Sequence, residues 1–217
     1  MTLLQTVTFF SFVLMCSPQP YAHAVTTDLP TQTVAQQEQE HADALLAACA
    51  IGDVQGVAQL LLDGVNPHCV DSNRDSAFML AALGGHTAVA EWLLMTGADA
   101  QHVNKAKFTA ADLAIQNGHV DFVQLLIDHE LIALNKRNTY GCTPLMIATQ
   151  YGHDAIIAIL IKAGAAVDEE AVILAIAKGH CQTVRLLHRH GAPLSIARRC
   201  VQAKDHAMHE TLRELCK

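Results

Sequence analysis

From residue 41 onward, apolar side chains come in short helical stripes that return at a period of about 33 residues. Gly85-His86, Gly118-His119, Gly152-His153 and Gly179-His180 mark the frame, at intervals of 33, 34 and 27 residues. Gly52-Asp53 lies 33 residues upstream of the first pair, in the same register. Five residues before each anchor, the His or Asp53, stands Ala48, Ala81, Ala114, Ala148 or Ala175. Seven after it stands Leu60, Leu93, Leu126, Leu160 or Leu187. Eleven after it stands Gly64, Gly97, Gly164 or Gly191, and Glu130 alone breaks that series.

Each recurring position has a mechanical meaning. The alanines let two antiparallel helices approach closely. The leucines, with Val89, Phe122 and Ile156 at helical spacing, form the apolar stripe of a second helix. The late glycines fall where a helix ends in the left-handed conformation, which a residue with a Cβ resists. Gly-His is the tight turn between the two helices. Ser76, Thr109 and Thr143 stand ten residues before a His, placed to cap the first helix. Pro144 follows Thr143 at the first helical position, where its missing N–H is harmless.

With these motifs in register over five units, the chain resembles the ankyrin-repeat family. Thr143-Pro144-Leu145-Met146 is similar to the family's T-P-L-H cap, and Gly97-Ala98-Asp99-Ala100 and Gly164-Ala165-Ala166-Val167 to its helix-ending segment. The resemblance implies an all-α repeat solenoid: stacked helix-turn-helix units with short β-turn fingers at one edge. Five repeats are expected over residues 41–194, with a degenerate capping repeat at 195–217, since the ends of a stack need polar caps. Three departures bear on this. Only Gly141 fills the finger-tip glycine position, where Arg74 and Lys107 stand in the two preceding repeats. The fifth finger is short, with only Ala165 to Glu169 between helices. Glu130, followed by Leu131-Ile132-Ala133-Leu134, predicts a longer or kinked helix in repeat three.

The beginning of the chain reads differently. Leu3 to Cys16 is mostly apolar and uncharged, then Ser17-Pro18 leads to Ala22-His23-Ala24, a small-x-small cleavage signature. That apolar stretch is short for a span, which needs about 20 residues. Residues 1–24 are therefore expected to be a signal peptide and 25–40 a disordered polar lead. The pattern points to an exported, bacterial-type protein, in the periplasm ahead of the extracellular space, and to no membrane contact beyond export.

Composition narrows the function. Apolar residues make up 51% and charged residues 16%, ample for a continuous core. A formal charge of −7 argues against nucleic acid, whose binders show a basic stripe. Beyond residue 24 stand Cys49, Cys69, Cys142, Cys181, Cys200 and Cys216, too scattered for a disulfide framework. Most thiols are expected free, and Cys200 with Cys216 is the one pair worth testing. Thirteen histidines invite a search for metal ligands. Four belong to the recurring turns, where a structural bond to backbone is expected of a repeat fold. His188 and His190 fall on different helix faces, while His206 and His209 share one, two ligands without a third. No Gly-x-Ser-x-Gly elbow, phosphate loop or His-Glu-x-x-His helix is present, and Cys142 beside Thr143 has no base supplied by the fold. No enzyme, metal or cofactor is expected.

In the family the resemblance invokes, partners meet the finger tips and the exposed end of the first helix. Carried over position by position, the fingers offer Ser72, Asn73 and Asp75; Lys105, Ala106 and Phe108; and Thr139, Tyr140 and Cys142. The helix ends offer Leu83, Gln116, Asn117, Gln150 and Tyr151. Phe108, Tyr140 and Tyr151 are three of the chain's ten aromatics and sit on adjacent units, and aromatics carry binding hot spots. Phe108 could equally pack between fingers. Trp92, in the second-helix stripe beside Leu93, is expected in the core. The binding set is thus Asn73, Asp75, Leu83, Lys105, Phe108, Gln116, Tyr140, Gln150 and Tyr151. The function it implies is a monomeric protein-binding scaffold gripping a protein partner through the concave face of the stack. The alternatives are an immunity-type inhibitor of a toxin or enzyme and a secreted effector acting on host proteins.

Overall fold

The computed structural model describes residues 31–193 and Glu210. The expected signal peptide, the start of the polar lead and nearly all of the capping repeat lie outside them. So do Cys200, Cys216, His206 and His209. Ten helices are present among the described residues: α1 (Thr31–Ile51), α2 (Val54–Leu62), α3 (Ala77–Gly84), α4 (Thr87–Met95), α5 (Ala110–Gln116), α6 (Val120–Asp128), α7 (Pro144–Tyr151), α8 (Asp154–Lys162), α9 (Glu169–Ala177) and α10 (Cys181–Arg189).

They pair in chain order into five hairpins, an all-α ankyrin solenoid. First helices pack on first helices along one row, α1 through α3, α5 and α7 to α9. Second helices form the other row, α2 through α4, α6 and α8 to α10. The core lies between the rows: Leu45, Cys49, Phe78, Leu93, Phe122, Leu126, Ile156, Leu160 and Leu187 are all buried. Phe78 and Phe122 meet at 5.6 Å in a tilted pair, tying repeat two to repeat three. The frame alanines are buried as well, where any larger side chain would separate the helices. Trp92 is half-buried, its ring packed against the core rather than inside it.

Capping explains where the first helices begin. Ser76, Thr109 and Thr143 accept from the backbone N–H three residues on, at Met79, Asp112 and Met146. Asp112 returns a bond to the Thr109 N–H, completing a capping box. Asp168 caps α9 in the same way, accepting from the Ala171 N–H at 3.0 Å, and only the short link 163–168 joins α8 to α9.

Two expectations are corrected. The polar lead does not stay disordered up to residue 40, because α1 already runs from Thr31. Gln36 to Glu40 are good helix formers without Gly or Pro, and Gln39 donates to Asp43 one turn on at 2.9 Å. Nor is the third repeat's second helix longer or kinked. α6 ends at Asp128, Glu130 itself turns left-handed at φ 55°, and the Leu131 N–H closes on the Leu126 carbonyl at 2.8 Å. Tertiary packing holds the geometry of the missing glycine.

Candidate functional site

The fingers are built on a second periodic residue that the helical pattern hides. Asp71, Asn104 and Asn138 stand five residues before the three cap residues, and each turns its side-chain oxygen back onto its own finger. Asp71 Oδ1 accepts from the N–H groups of Asn73 and Asp75 at 2.8 and 2.7 Å. Asn104 Oδ1 accepts from the Phe108 N–H, and Asn138 Oδ1 from those of Tyr140 and Cys142. These side chains mimic a backbone turn, so each finger is pinned without a β-ladder. The one bridge among the described residues is Val70 with Ser76.

Neighbouring fingers are then stitched together. Asn104 Nδ2 donates to Asp75 at 2.7 Å, the Lys105 N–H to the Asn73 carbonyl at 3.0 Å, and Lys105 Nζ to the Ser72 carbonyl at 2.6 Å. Tyr140 reaches across with its hydroxyl to the Ala106 carbonyl at 2.8 Å, and its ring stacks on Phe108 at 5.1 Å. Asp75, expected to be displayed, is thus half-buried and joins two fingers, and Phe108, for which the sequence leaves both display and packing between fingers open, is half-buried beneath Tyr140.

Below the fingers, the ends of the first helices are fixed by the histidine frame. His86, His119, His153 and His180 each bring Nε2 to a carbonyl of the preceding repeat, at Ala50, Leu83, Gln116 and Gln150, over 2.8–3.2 Å. Three of the predicted residues, Leu83, Gln116 and Gln150, therefore have their backbone held, and the Gln116 side chain is engaged as well, by the Tyr151 hydroxyl. Asp53 replaces His in the first repeat and caps its own helix, accepting from the Gly56 N–H. No helix precedes α1 among the described residues for a ring at that position to reach.

Five of the nine predicted residues converge. Phe108, Gln116, Tyr140, Gln150 and Tyr151 line one cleft of about 250 Å³, together with Asp112, Asn138, Cys142 and Ile147. Tyr140 and Tyr151 are 59% and 41% exposed, large apolar rings that the fold leaves open to solvent. Gln116 donates to the Tyr151 hydroxyl, and the Tyr151 ring lies nearly parallel to that of His153. Asp112 at the floor is buried and spends its oxygens on Thr109 and Asn138. Asn73 and Asp75 sit on the finger one repeat away, Lys105 lies on the same finger as Phe108 but outside the cleft, and Leu83, 47% exposed, lies near the end of α3. The cleft offers aromatic faces and amide groups.

Elsewhere the chemistry-bearing residues do structural work. His188 Nδ1 meets the Ala192 carbonyl at 3.3 Å, and among the described residues no three His, Cys, Asp or Glu side chains are grouped to hold a metal. Cys49, Cys69, Cys142 and Cys181 are free thiols. Burial, with Cys69 adding to it, pushes the Cys49 thiol up to about 12. No helix among the described residues is long and apolar enough to cross a membrane.

The family model for ankyrin repeats (three copies) matches residues 29–104, 79–171 and 131–200. The chain is 33% identical over 190 residues to ankyrin repeat and KH domain-containing protein mask-1 of Caenorhabditis elegans, covering 84% of this chain and 7% of that protein. A second ankyrin repeat and KH domain-containing protein, from Caenorhabditis briggsae, is 34% identical over 120 residues, 52% of this chain and 4% of the relative. The transient receptor potential cation channel subfamily A member 1 of Drosophila melanogaster is 30% identical over 154 residues, 65% of this chain and 12% of the channel. The chain thus spans only a small part of each relative's length. With the stack of five helix pairs, its histidine frame and its fingers, these matches show that the chain belongs to the ankyrin-repeat family.

Proposed function

We propose that this chain is a non-enzymatic binding scaffold that grips a protein partner through the finger and first-helix face of repeats two to four. Ankyrin repeats generally mediate protein–protein interaction, so the class follows from the family; the face is argued from this chain. The observation that carries it is the cleft between Tyr140 and Tyr151. Its walls are rigid, since the fingers are cross-tied and the helix ends held by His153 and His180, and a preorganised surface loses little entropy on binding. Its aromatic rings are of the type that dominates interface energetics.

We further propose that the protein acts outside the cytoplasm, in the periplasm ahead of the medium, after cleavage behind Ala24. The support is the apolar segment Leu3 to Cys16 and the Ala22-His23-Ala24 signature.

The test is recovery of the partner from the native host on the immobilised mature chain, followed by titration calorimetry against Tyr140→Ala and Tyr151→Ala. Loss of affinity in both supports the face. A partner that binds both variants as tightly as the parent overturns it. Intact-mass measurement of the protein purified from its host addresses export: Val25 at the N-terminus supports it, and a chain beginning at Met1 in the cytosol refutes it.

A further inference from the structure

We propose that the cleft between the second and third fingers docks an acidic segment of the protein partner, through Lys107 and Lys136; this rests on the fingers being the binding edge. Lys107 and Arg74 occupy successive finger tips at φ 65° and 63°, the position Gly141 fills at φ 77° in the next finger. Side chains with a Cβ resist that left-handed conformation and glycine adopts it freely. Strained backbone of this kind persists only where the surrounding structure holds it, and such residues cluster at binding and active sites. What these two residues share, and glycine lacks, is an exposed positive charge.

The surroundings define the ligand. Lys107, Lys136 and Arg137 line a cleft of about 190 Å³ whose walls include the apolar side chains of Leu131, Ile132 and Pro144. Arg137 is already neutralised, 2.7 Å from Glu170 and 4.0 Å from Asp168. Lys107 and Lys136 are exposed and their side chains have no hydrogen bond or ion pair among the described residues. The one lining carboxylate, Asp112, is buried and bonded to Thr109 and Asn138. In a chain of net charge −7, two uncompensated lysines over an apolar floor are a local reversal of sign. A carboxylate with an apolar neighbour, from a partner's Asp- or Glu-rich segment, complements both features. Arg74 extends the cationic edge by one repeat.

The probe is a fluorescein-labelled peptide of alternating Glu and Leu, read by anisotropy against the full chain, with a Gln/Leu peptide and oligothymidylate as comparisons. The Glu/Leu peptide is expected to bind, to weaken with added salt, and to lose about tenfold in affinity with Lys107→Gly or Lys136→Ala. Lys107→Gly is expected at the same time to raise the melting temperature, which separates lost recognition from lost folding. Equal binding of the Gln/Leu peptide or of oligothymidylate, no binding of the Glu/Leu peptide, or unchanged affinity in Lys107→Gly overturns the proposal. If Tyr151→Ala weakens the native partner while Lys107→Gly does not, the aromatic face stands and the acidic docking falls. If the lysine variants alone matter, the reverse holds.

Discussion

The ring of His119 occupies the space that a side chain on Gly85 would need: a Cβ built there would lie 2.5 Å from His119 Nδ1. The same conflict recurs between Gly52 and His86 and between Gly118 and His153, and a milder one, at 3.0 Å, between Gly152 and His180. Each Gly-His pair is therefore more than a turn. In Gly85-His86, Gly118-His119 and Gly152-His153 the glycine receives the ring from the next repeat while the histidine reaches back to the repeat before, so these pairs propagate the stack along its first-helix row; a Cβ on Gly179 would meet nothing within 4 Å.

That relationship separates two kinds of glycine. Gly85 and Gly97 are both left-handed, at φ 72° and 84°, but a Cβ on Gly97 would meet nothing within 4 Å. Gly97→Ala is expected to cost about 1 kcal/mol for the backbone alone. Gly85→Ala is expected to cost about 2–4 kcal/mol, because the His119 ring must also move and lose its bond to Leu83. Urea unfolding of both variants checks this, and equal losses would mean that the His contact contributes nothing.

Glu130 supplies the converse case. It holds the left-handed position with a Cβ that gains nothing evident there, being exposed. Glu130→Gly is expected to stabilise the protein by about 0.5–1 kcal/mol, the left-handed penalty less the added freedom of the unfolded chain. A variant that melts earlier than the parent would show that the Glu130 side chain has a structural role of its own.

The frame was legible because repetition amplifies weak signals: one Gly-His pair means little, whereas four in register with Ala and Leu fix the helix pairs. The caps at Ser76, Thr109 and Thr143 could be placed for the same reason. Illegible were features that pattern does not encode. Glu130 and Lys107 take glycine's conformation because their neighbours hold them there, so identity alone predicted a kink at the first. Asp71, Asn104 and Asn138 carried a signal, a fixed spacing of five before each cap, obscured by polar residues around them. Half-burial of Asp75 depends on a contact from the neighbouring finger, and a similar contact decides between the two readings open for Phe108. Residues 31 to 40 look like a lead by composition yet continue α1 by propensity.

Burial of Cys49 has a consequence at high pH. Its thiol is pushed up to about 12 from an ordinary value of 9.0, first by desolvation and then by Cys69. The folded state thus retains a proton that the unfolded state releases, so this contribution is complete below pH 9 and is lost as pH rises towards 12. Stability measured in urea is expected to fall over that window, and to fall less steeply in Cys49→Ala, whose native state has no thiol to titrate there. Identical slopes for parent and variant would remove Cys49 as the source.

Tyr151 and Leu93 set recognition against packing. Leu93 is fully buried in the second-helix row, and Leu93→Ala is expected to destabilise the stack by about 2–5 kcal/mol through lost burial and a residual cavity. Tyr151 is 41% exposed at the end of α7, where it is tied by one bond from Gln116 and a stacked His153 ring. Tyr151→Ala is expected to cost about 0.5–1 kcal/mol of stability, more than a bare surface site because Gln116 loses its acceptor. Against the partner it is expected to cost about 2 kcal/mol or more, the loss typical of an aromatic anchor in a cleft. Tyr140 is a less clean probe, since its hydroxyl and ring also brace the second finger at Ala106 and Phe108. Thermal melts and partner titrations on the same two variants decide between the roles. Should Tyr151→Ala lower the melting temperature as far as Leu93→Ala and leave partner affinity unchanged, the tyrosine is part of the packing and the binding face lies elsewhere on the stack.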